Sequence, residues 1–393
     1  MASAASILGF FFYTVCVVLL LLLSAIRKIR LDKELLWVIS FWLVINIIAF
    51  YYTKTSQNYN AILGPILLII IPYLALKVIG DGFWIRLEKV IFILVVIDLI
   101  LYALSNLYPS LFLSLYSIFR PWTNDALYEQ SARDTNYWYS FIFTFNPKVI
   151  YRNSGFMWEP GAYGLILVLI LLYRWGVNGM KIGKHEFVYI ISIISTLSTA
   201  SYFVLALLLM WYIFNMSNRF YKLLIIPISI YVFYWVYNMP FMGDKMDEFV
   251  YQTQINDYGL YENKLQANRI LSFYIALEQV QYLPTGYGCT PSATFTPEYD
   301  SVSMVNGMGD LLTKWGYVGL LLIIYLIYLF WHIFYKSWFA FMATISYILV
   351  LFSNPISNNP ILWLVVWSSL IYGKRHWKIK DKKYPKFYLR RVY

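Results

Sequence analysis

The chain has 393 residues, of which 60% are hydrophobic, 20% are aromatic and only 13% are charged. A soluble domain carries roughly 25% charged residues, so this composition excludes an ordinary soluble enzyme and indicates an integral membrane protein. The net charge is +11, but Lys and Arg concentrate between apolar runs and in the C-terminal tail, which membrane topology explains and which argues against nucleic-acid binding.

Apolar runs recur along the whole length of the chain. A membrane-spanning helix needs about 20 apolar residues at about 1.5 Å of rise each, and about eleven runs approach or reach that length. They predict an all-α polytopic membrane protein, a single integral membrane domain over 1–393 with about 11 to 12 transmembrane helices. The runs are 5–26, 34–52, 61–79, 87–107, 156–175, 187–199, 201–215, 223–238, 315–334, 338–353 and 361–372.

The charges around the first run set the predicted topology. No basic residue precedes this run, and the cationic cluster RKIR follows it. It therefore has the pattern of a first membrane span rather than of a cleaved signal peptide, and the positive-inside rule places the N-terminus outside. On this topology the basic tail 373–393 is cytoplasmic and lies against anionic lipid headgroups.

Two long segments fall on the outer side of that topology, 108–155 and 239–314. Segments of this length are functional or disordered, and these are too rich in aromatic residues for solvated tails. Apolar residues at helical spacing from Leu265 to Val280 predict an amphipathic helix on the outer surface. The helix should stop at LPTGYG, because one Pro and two Gly break it. These segments predict a helical extracytoplasmic cap.

Ionisable groups are costly inside a bilayer, and only Asp98 lies deep within a predicted span. Two interpretations stay open for it, a hydrogen bond to a neighbouring helix or a place in a polar cavity. The histidines, His185, His332 and His376, all fall at predicted cytoplasmic ends or in the tail, which argues against a histidine base outside. No residues have metal-ligand spacing, and the two cysteines suggest no disulfide framework.

The stretch RNSGFMWEPGAYG, residues 152–164, carries charges at the start of an apolar run. Proline is favoured in the first turn of a helix, so a helix should begin near Pro160 and place Glu159 at its positive end. The three glycines permit close approach of other segments. Arg152 can bind phosphate through two parallel hydrogen bonds, and Glu159 can anchor this arginine or sugar hydroxyls. A structural cap with an ion pair is the alternative.

Further candidate residues lie in the outer segments. Arg269 is a second phosphate-binding candidate, and the alternative for it is a cation that reaches the lipid headgroups. Asp310 and Lys314 have the spacing of an i,i+4 ion pair. Aromatic faces can pack on sugar rings, although aromatic belts are common at membrane interfaces. The candidate substrate-binding residues are Tyr151, Trp158, Tyr163, Asn306, Asp310 and Lys314.

Four segments together resemble the O-antigen polymerase and ligase superfamily, in particular the Wzy-type polymerases of O-antigen and capsule repeat units. Residues 152–160 resemble the RxxGxFxEP signature of that superfamily. The segments 196–209, 268–288 and 305–321 resemble, in order, its serine-containing break between two spans, its Arg-led outer helix and its asparagine-then-GxxG helix start. Val305 stands where the ligases carry a histidine, which argues against a ligase.

The resemblance implies a GT-C-like glycosyltransferase fold in the bacterial cytoplasmic (inner) membrane, with an active site that faces the periplasm. The donor would be a glycan on undecaprenyl diphosphate, and the acceptor a second lipid-linked repeat unit. No cofactor, metal or nucleotide sugar is implied. A chain-length regulator and a flippase of the same pathway would be partners, together with membrane lipids.

The resemblance also assigns catalytic roles to Arg152, Glu159 and Arg269. Both arginines would hold the diphosphate as charge develops on it, and Glu159 would orient an arginine or the acceptor hydroxyl; the general base stays unassigned. Two alternative functions stay open, an O-antigen ligase and a lipid or sugar transporter. The prolines Pro72 and Pro227, which fall within predicted spans, favour the transporter, because prolines can mark broken helices.

Overall fold

A computed structural model describes residues 9–54, 59–119, 138–139, 142–145, 150–214, 227, 231, 234, 269–289, 306–354 and 359–380. These residues are almost entirely helical. We number the elements α1 (Gly9–Ile26), α2 (Lys33–Thr53), α3 (Tyr59–Ile79), α4 (Phe83–Leu107), α5 (Pro109–Phe119), β1 (Trp138–Tyr139), β2 (Thr144–Phe145), α6 (Pro160–Asn178), α7 (Lys184–Ser195), α8 (Thr199–Phe214), α9 (Arg269–Tyr282), α10 (Gly307–Phe334), α11 (Ser337–Phe352) and α12 (Pro360–Lys380).

Four helical stretches in the described part of the chain are long and apolar enough to cross a membrane: α2, the stretch Ile62–Leu107 within α3 and α4, α6, and α10. Shorter apolar helices of 10–17 residues lie in α1, α8, α11 and α12. The chain is therefore mostly helical with several membrane-spanning candidates, as the composition predicts. The total of eleven spans stays a prediction, and most of the predicted run 223–238 lies outside the described residues.

Several boundaries differ from the predicted ones. The segment 108–155 contains α5, which begins with a proline, and the antiparallel pair β1–β2. Helix α10 begins at Gly307, earlier than the predicted run 315–334, because the side chain of Asn306 accepts a hydrogen bond from the Gly309 N–H and so caps the helix. Helix α9 ends at Tyr282, as the following proline and glycines predict.

Helix α6 forms the centre of the bundle. Within its apolar span 78% of the residues are buried, against 28% in α2, and it packs against α7, α8, α10 and α11. A helix that is apolar on every side is expected inside a bundle of other helices. The start of this helix, which carries Glu159 at its N-cap position, is therefore held by several neighbours.

Helix α10 contains a break at Gly316, whose backbone angles are φ 67° and ψ −175°. The turn after α9 satisfies the backbone groups that this break leaves open. The Tyr287 N–H donates to the Thr313 carbonyl at 2.7 Å, and the Tyr317 N–H donates to the Pro284 carbonyl at 3.1 Å. A Cβ on Gly286 would lie 2.5 Å from the Gly316 nitrogen, so the two segments meet without side chains between them.

The ends of the helices group into two sets. The starts of α6 and α10 and the last turn of α11 meet at Asn354, and we call this side of the bundle the Asn354 end. The other set includes the start of α4, where Glu88 pairs with His185 of α7, and we call it the Glu88 end. The predicted topology places each set on one side of the membrane.

Candidate functional site

The loop from Arg152 to Glu159 has a defined backbone conformation. The Asn153 N–H donates to the carbonyl of Ser195, the last residue of α7, at 3.0 Å. The side-chain oxygen of Asn153 accepts from the Gly155 N–H at 2.8 Å. Gly155 has a φ of +54°, a conformation that glycine adopts without strain. The loop is thus attached to the break between α7 and α8.

A buried carboxylate joins this loop to α6. Oδ2 of Asp98, in α4, accepts from Nδ2 of Asn153 at 2.8 Å and from the Tyr163 hydroxyl at 2.9 Å. The Tyr163 hydroxyl also lies 3.0 Å from Oγ of Ser192, and Asn153 Nδ2 lies 3.0 Å from Oγ of Ser195. Asp98 is fully buried. Of the two interpretations for it, the hydrogen bond to a neighbouring helix is confirmed.

Glu159 and Arg152 lie at the two ends of the loop and are both half-buried. Glu159 occupies the N-cap position of α6 with Pro160 directly after it, as the sequence predicts. Its side chain makes no capping hydrogen bond, so the carboxylate is not used to cap the helix. Arg152 interacts electrostatically with Tyr202 of α8. Both charged groups therefore lie where α6, α7 and α8 come together.

Asn354 packs against the starts of two helices. A Cβ on Gly161, in the first turn of α6, would lie 2.5 Å from the Asn354 side-chain oxygen. A Cβ on Gly307, the first residue of α10, would overlap the Asn354 carbonyl oxygen. Asn354 itself is fully buried. The close approach that the glycines were expected to permit is thus present, and it brings two of the predicted motifs together.

Asn306 links the start of α10 to the start of α9. Its Nδ2 donates to the carbonyl of Arg269 at 2.9 Å, and its Oδ1 accepts from the Gly309 N–H at 2.8 Å. Asn306 is fully buried, whereas the Arg269 side chain is exposed. Both ends of this amide bind the protein, so Asn306 acts as a structural link, and its contact with substrate stays a prediction.

The other predicted substrate residues differ in exposure. Asp310 and Lys314 form the expected ion pair at 2.7 Å, next to the break in α10. Tyr151 is exposed, and Trp158 is half-buried against the core. Tyr163 is fully buried and bonded to Asp98, which gives it a role inside the protein. Of the three predicted aromatic residues, Tyr151 and Trp158 present surface that a sugar could reach.

The Asn354 end collects groups that can bind an anion. Helices α6, α9 and α10 all begin there, and a helix N-terminus carries a partial positive charge. Arg152, Arg269 and Lys314 add cations, while Glu159 and Asp310 add carboxylates. Contacts connect these groups in one chain, from the Arg152 loop through α6 to Asn354, then through Gly307 and Asn306 to the start of α9. This arrangement suits a ligand with both phosphate and hydroxyl groups.

The Glu88 end carries a second charged cluster with no predicted site residue. Arg174 Nε donates to Glu186 at 2.8 Å, and His185 Nδ1 lies 2.8 Å from Glu88. Burial would raise the pKa of the Glu186 carboxyl, but hydrogen bonds from Arg174 and from the Gly183 N–H outweigh it, and the pKa falls below its ordinary value. The cluster holds α4, α6 and α7 together at this end.

Three residues of the site were not identified from the sequence: Asn153, Ser195 and Asn354. Asn153 lies inside the quoted stretch, next to Arg152, and its polar side chain at the edge of an apolar run was a usable signal. Asn354 begins the polar interruption NPISNNP between two apolar runs, a pattern that indicates a buried or functional turn in a membrane protein. Ser195 has no comparable signal.

The described residues define a mostly helical protein with helices long and apolar enough to cross a membrane, and with polar and charged groups at both the Asn354 end and the Glu88 end. Comparison of the chain with protein-family models, with curated proteins and with solved structures found no match.

Proposed function

We propose that this chain is a membrane glycosyltransferase that polymerises undecaprenyl-diphosphate-linked oligosaccharide repeat units, as the Wzy-type polymerases it resembles do. One observation carries the proposal. The segments 152–160, 196–209, 268–288 and 305–321 each resemble a motif of that superfamily, and described residues in or next to them are joined by contacts. Gly164 of α6 packs on Ser201, Asn354 packs on the starts of α6 and α10, and Asn306 binds the Arg269 carbonyl.

In the proposed reaction the hydroxyl of the acceptor's terminal sugar attacks the anomeric carbon of the donor glycan. The bond between that carbon and the diphosphate oxygen breaks, and undecaprenyl diphosphate leaves with the electron pair. Arg152 and Arg269 stabilise the charge that builds on the diphosphate. Glu159, at the N-cap position of α6, orients an arginine or the attacking hydroxyl. The acceptor that takes the hydroxyl proton is unassigned.

The same proposal includes a setting for the enzyme. The active site would lie on the periplasmic side of the bacterial inner membrane, within a GT-C-like fold. A flippase would deliver the lipid-linked units, and a chain-length regulator would limit the product. Neither a metal nor another cofactor takes part.

A polysaccharide gel from the source strain tests the proposal. The gene is deleted and then complemented with wild type, Arg152→Ala, Arg152→Lys or Glu159→Ala. We expect Arg152→Ala and Glu159→Ala to abolish long chains while single repeat units persist, because the loss of one such group typically slows turnover by about 10²–10³-fold. Arg152→Lys should also fail, since lysine lacks the planar fork that binds two phosphate oxygens.

Arg86→Ala is the matched control. This arginine is exposed in the first turn of α4, at the Glu88 end, and its loss should leave the ladder unchanged. Loss of even the single unit in the Arg152→Ala strain would favour a ligase or a transporter. A full ladder in that strain would contradict the proposal.

A further inference from the structure

Asp98 lies outside all the segments that resemble the superfamily, yet it is bonded to Asn153 within the first of them and to Tyr163 just after it. One oxygen, Oδ2, receives both hydrogen bonds, from Asn153 at 2.8 Å and from Tyr163 at 2.9 Å. Asn153 directly follows Arg152 in the chain. Tyr163 lies one helical turn after Glu159, and its N–H donates to the Glu159 carbonyl at 3.1 Å.

We propose that Asp98 is a positioning residue that sets the placement of Arg152 relative to Glu159. The inference rests on the proposed function, because it gives both residues a role in the reaction. Asp98 itself is fully buried, so it acts through its two partners rather than on the substrate.

The shape of the network supports this role. The loop and the first turn of α6 are connected by only a few residues, and a loop of that kind can adopt many conformations unless it is held. A single oxygen that accepts one bond from each end restricts that freedom, together with the bonds from Asn153 to Ser195 and from Gly155 to Asn153. Gly155 reinforces the arrangement, because its backbone packs so closely against the Tyr163 ring that there is no room for a Cβ. Ser192 and Ser195 extend the same network to α7.

A carboxylate is suited to this task for a physical reason. A carboxyl oxygen has two lone pairs and can therefore accept both hydrogen bonds at once. A side chain that could not accept would remove one of the two hydrogen bonds of the Asn153 amide and leave the Tyr163 hydroxyl with Ser192 alone, and each lost bond to a buried donor is costly. The loop would then rearrange to satisfy these donors, and Arg152 would move with it.

Two substitutions of similar size separate this role from others. Asp98→Asn keeps one oxygen that can accept both bonds, whereas Asp98→Leu keeps the volume and accepts nothing. Glu88→Leu is the control, because Glu88 is also a buried carboxylate in α4 but belongs to the Glu88 end. Each variant is compared at equal amounts in the membrane.

The first readout is hydrogen exchange of the purified protein in detergent, followed by mass spectrometry of a peptide over 150–158. Asp98→Leu should raise exchange of the bonded amides there by about 10-fold or more, and Asp98→Asn should stay within about 2-fold of wild type. Glu88→Leu should leave this peptide unchanged and affect 184–190. Unchanged exchange in Asp98→Leu would overturn the proposal.

The second readout is the polysaccharide ladder. Asp98→Leu should lose long chains, and Asp98→Asn should retain them. If Asp98→Asn loses them as well while its exchange stays normal, the negative charge rather than the accepting oxygen is required, and the positioning role is wrong. If Arg152→Ala leaves the ladder intact but the exchange results hold, the proposed function fails and the structural role of Asp98 survives.

Tyr163→Phe covers the case in which Asp98→Leu does not reach the membrane. This variant removes one of the two donors and keeps the ring. It should raise exchange over 150–158 by about 3-fold and shorten the polysaccharide chains. Wild-type exchange in this variant would count against the proposal.

Discussion

Gly155→Ala should destabilise the protein through the Arg152 loop. Gly155 has a φ of +54°, and a Cβ at this position would lie 2.5 Å from two ring carbons of Tyr163. The ring cannot move away freely, because its hydroxyl is bonded to Asp98 and faces Ser192. An alanine therefore meets two separate obstacles, one in its own backbone and one in a fixed neighbour.

The size of the effect follows from those two obstacles. A left-handed conformation costs an alanine about 1–2 kcal/mol, and an added methyl group in a packed site costs about 1–3 kcal/mol. Together they raise the free energy of the native loop relative to its open forms by about 2–5 kcal/mol, which reduces the ratio of native to open forms by roughly 30-fold to several thousand-fold.

The assay is thermal unfolding of the purified protein in one detergent, followed by tryptophan fluorescence at a single scan rate, because unfolding of such proteins is often irreversible. Gly64→Ala is the control, since Gly64 lies in helix α3 and a Cβ there meets nothing within 4 Å. Gly155→Asn separates the two obstacles, because asparagine tolerates the left-handed conformation but still contacts the Tyr163 ring.

We expect the unfolding midpoint to fall for Gly155→Ala and for Gly155→Asn, and to stay at or above the wild-type value for Gly64→Ala. Equal midpoints for Gly155→Ala and wild type would refute the described contact between the loop and α6. A normal midpoint for Gly155→Asn alone would show that backbone conformation, rather than the ring contact, is the cause.

Three further changes test other parts of the fold. Gly316→Ala should lower the unfolding midpoint, because its Cβ would overlap a backbone carbonyl of the turn after α9, which cannot rotate away. Gly164→Ala should lower it as well, since its Cβ would overlap the Ser201 side chain, and Ser201→Gly in the same chain should recover most of the loss; no recovery would contradict this packing. Glu186→Gln should lower the midpoint at neutral pH. The folded pKa of Glu186 is depressed, so its stabilisation is present above about pH 4.5 and is lost as the pH falls below that value; the variant should therefore lose less stability on acidification than wild type does.

The helix starts could be predicted because local chemistry determines them. Pro160 fixes the first turn of α6, and the Pro and Gly residues after α9 end that helix where expected. The predicted apolar run begins at 315, but α10 begins at Gly307. Residues 307–314 are too polar to count as part of an apolar run, although they are helical and Asn306 caps them. The break at Gly316 depends on a turn from another part of the chain, and the spacing of apolar residues carries no signal for it.

For the candidate site, the sequence predicts the local placement of some residues but not the contacts between distant segments. Arg152, Glu159 and the Asp310–Lys314 pair lie where the pattern places them. The bond from Asp98 to Asn153 spans 55 residues of chain, and the contact of Asn354 with two helix starts depends on the packing of α11. Such contacts follow from tertiary structure, which no local pattern encodes.

The hydrogen bonds between the turn after α9 and the break in α10 also affect the order in which the chain folds. The bonded groups are separated by only about 30 residues of chain, so the entropy lost on closing that loop is modest. By contrast, the bond from the Cys289 N–H to Asn46 spans 243 residues. The described residues 269–289 and 306–334 can therefore associate early, and docking of α2 onto them belongs to a later, slower stage.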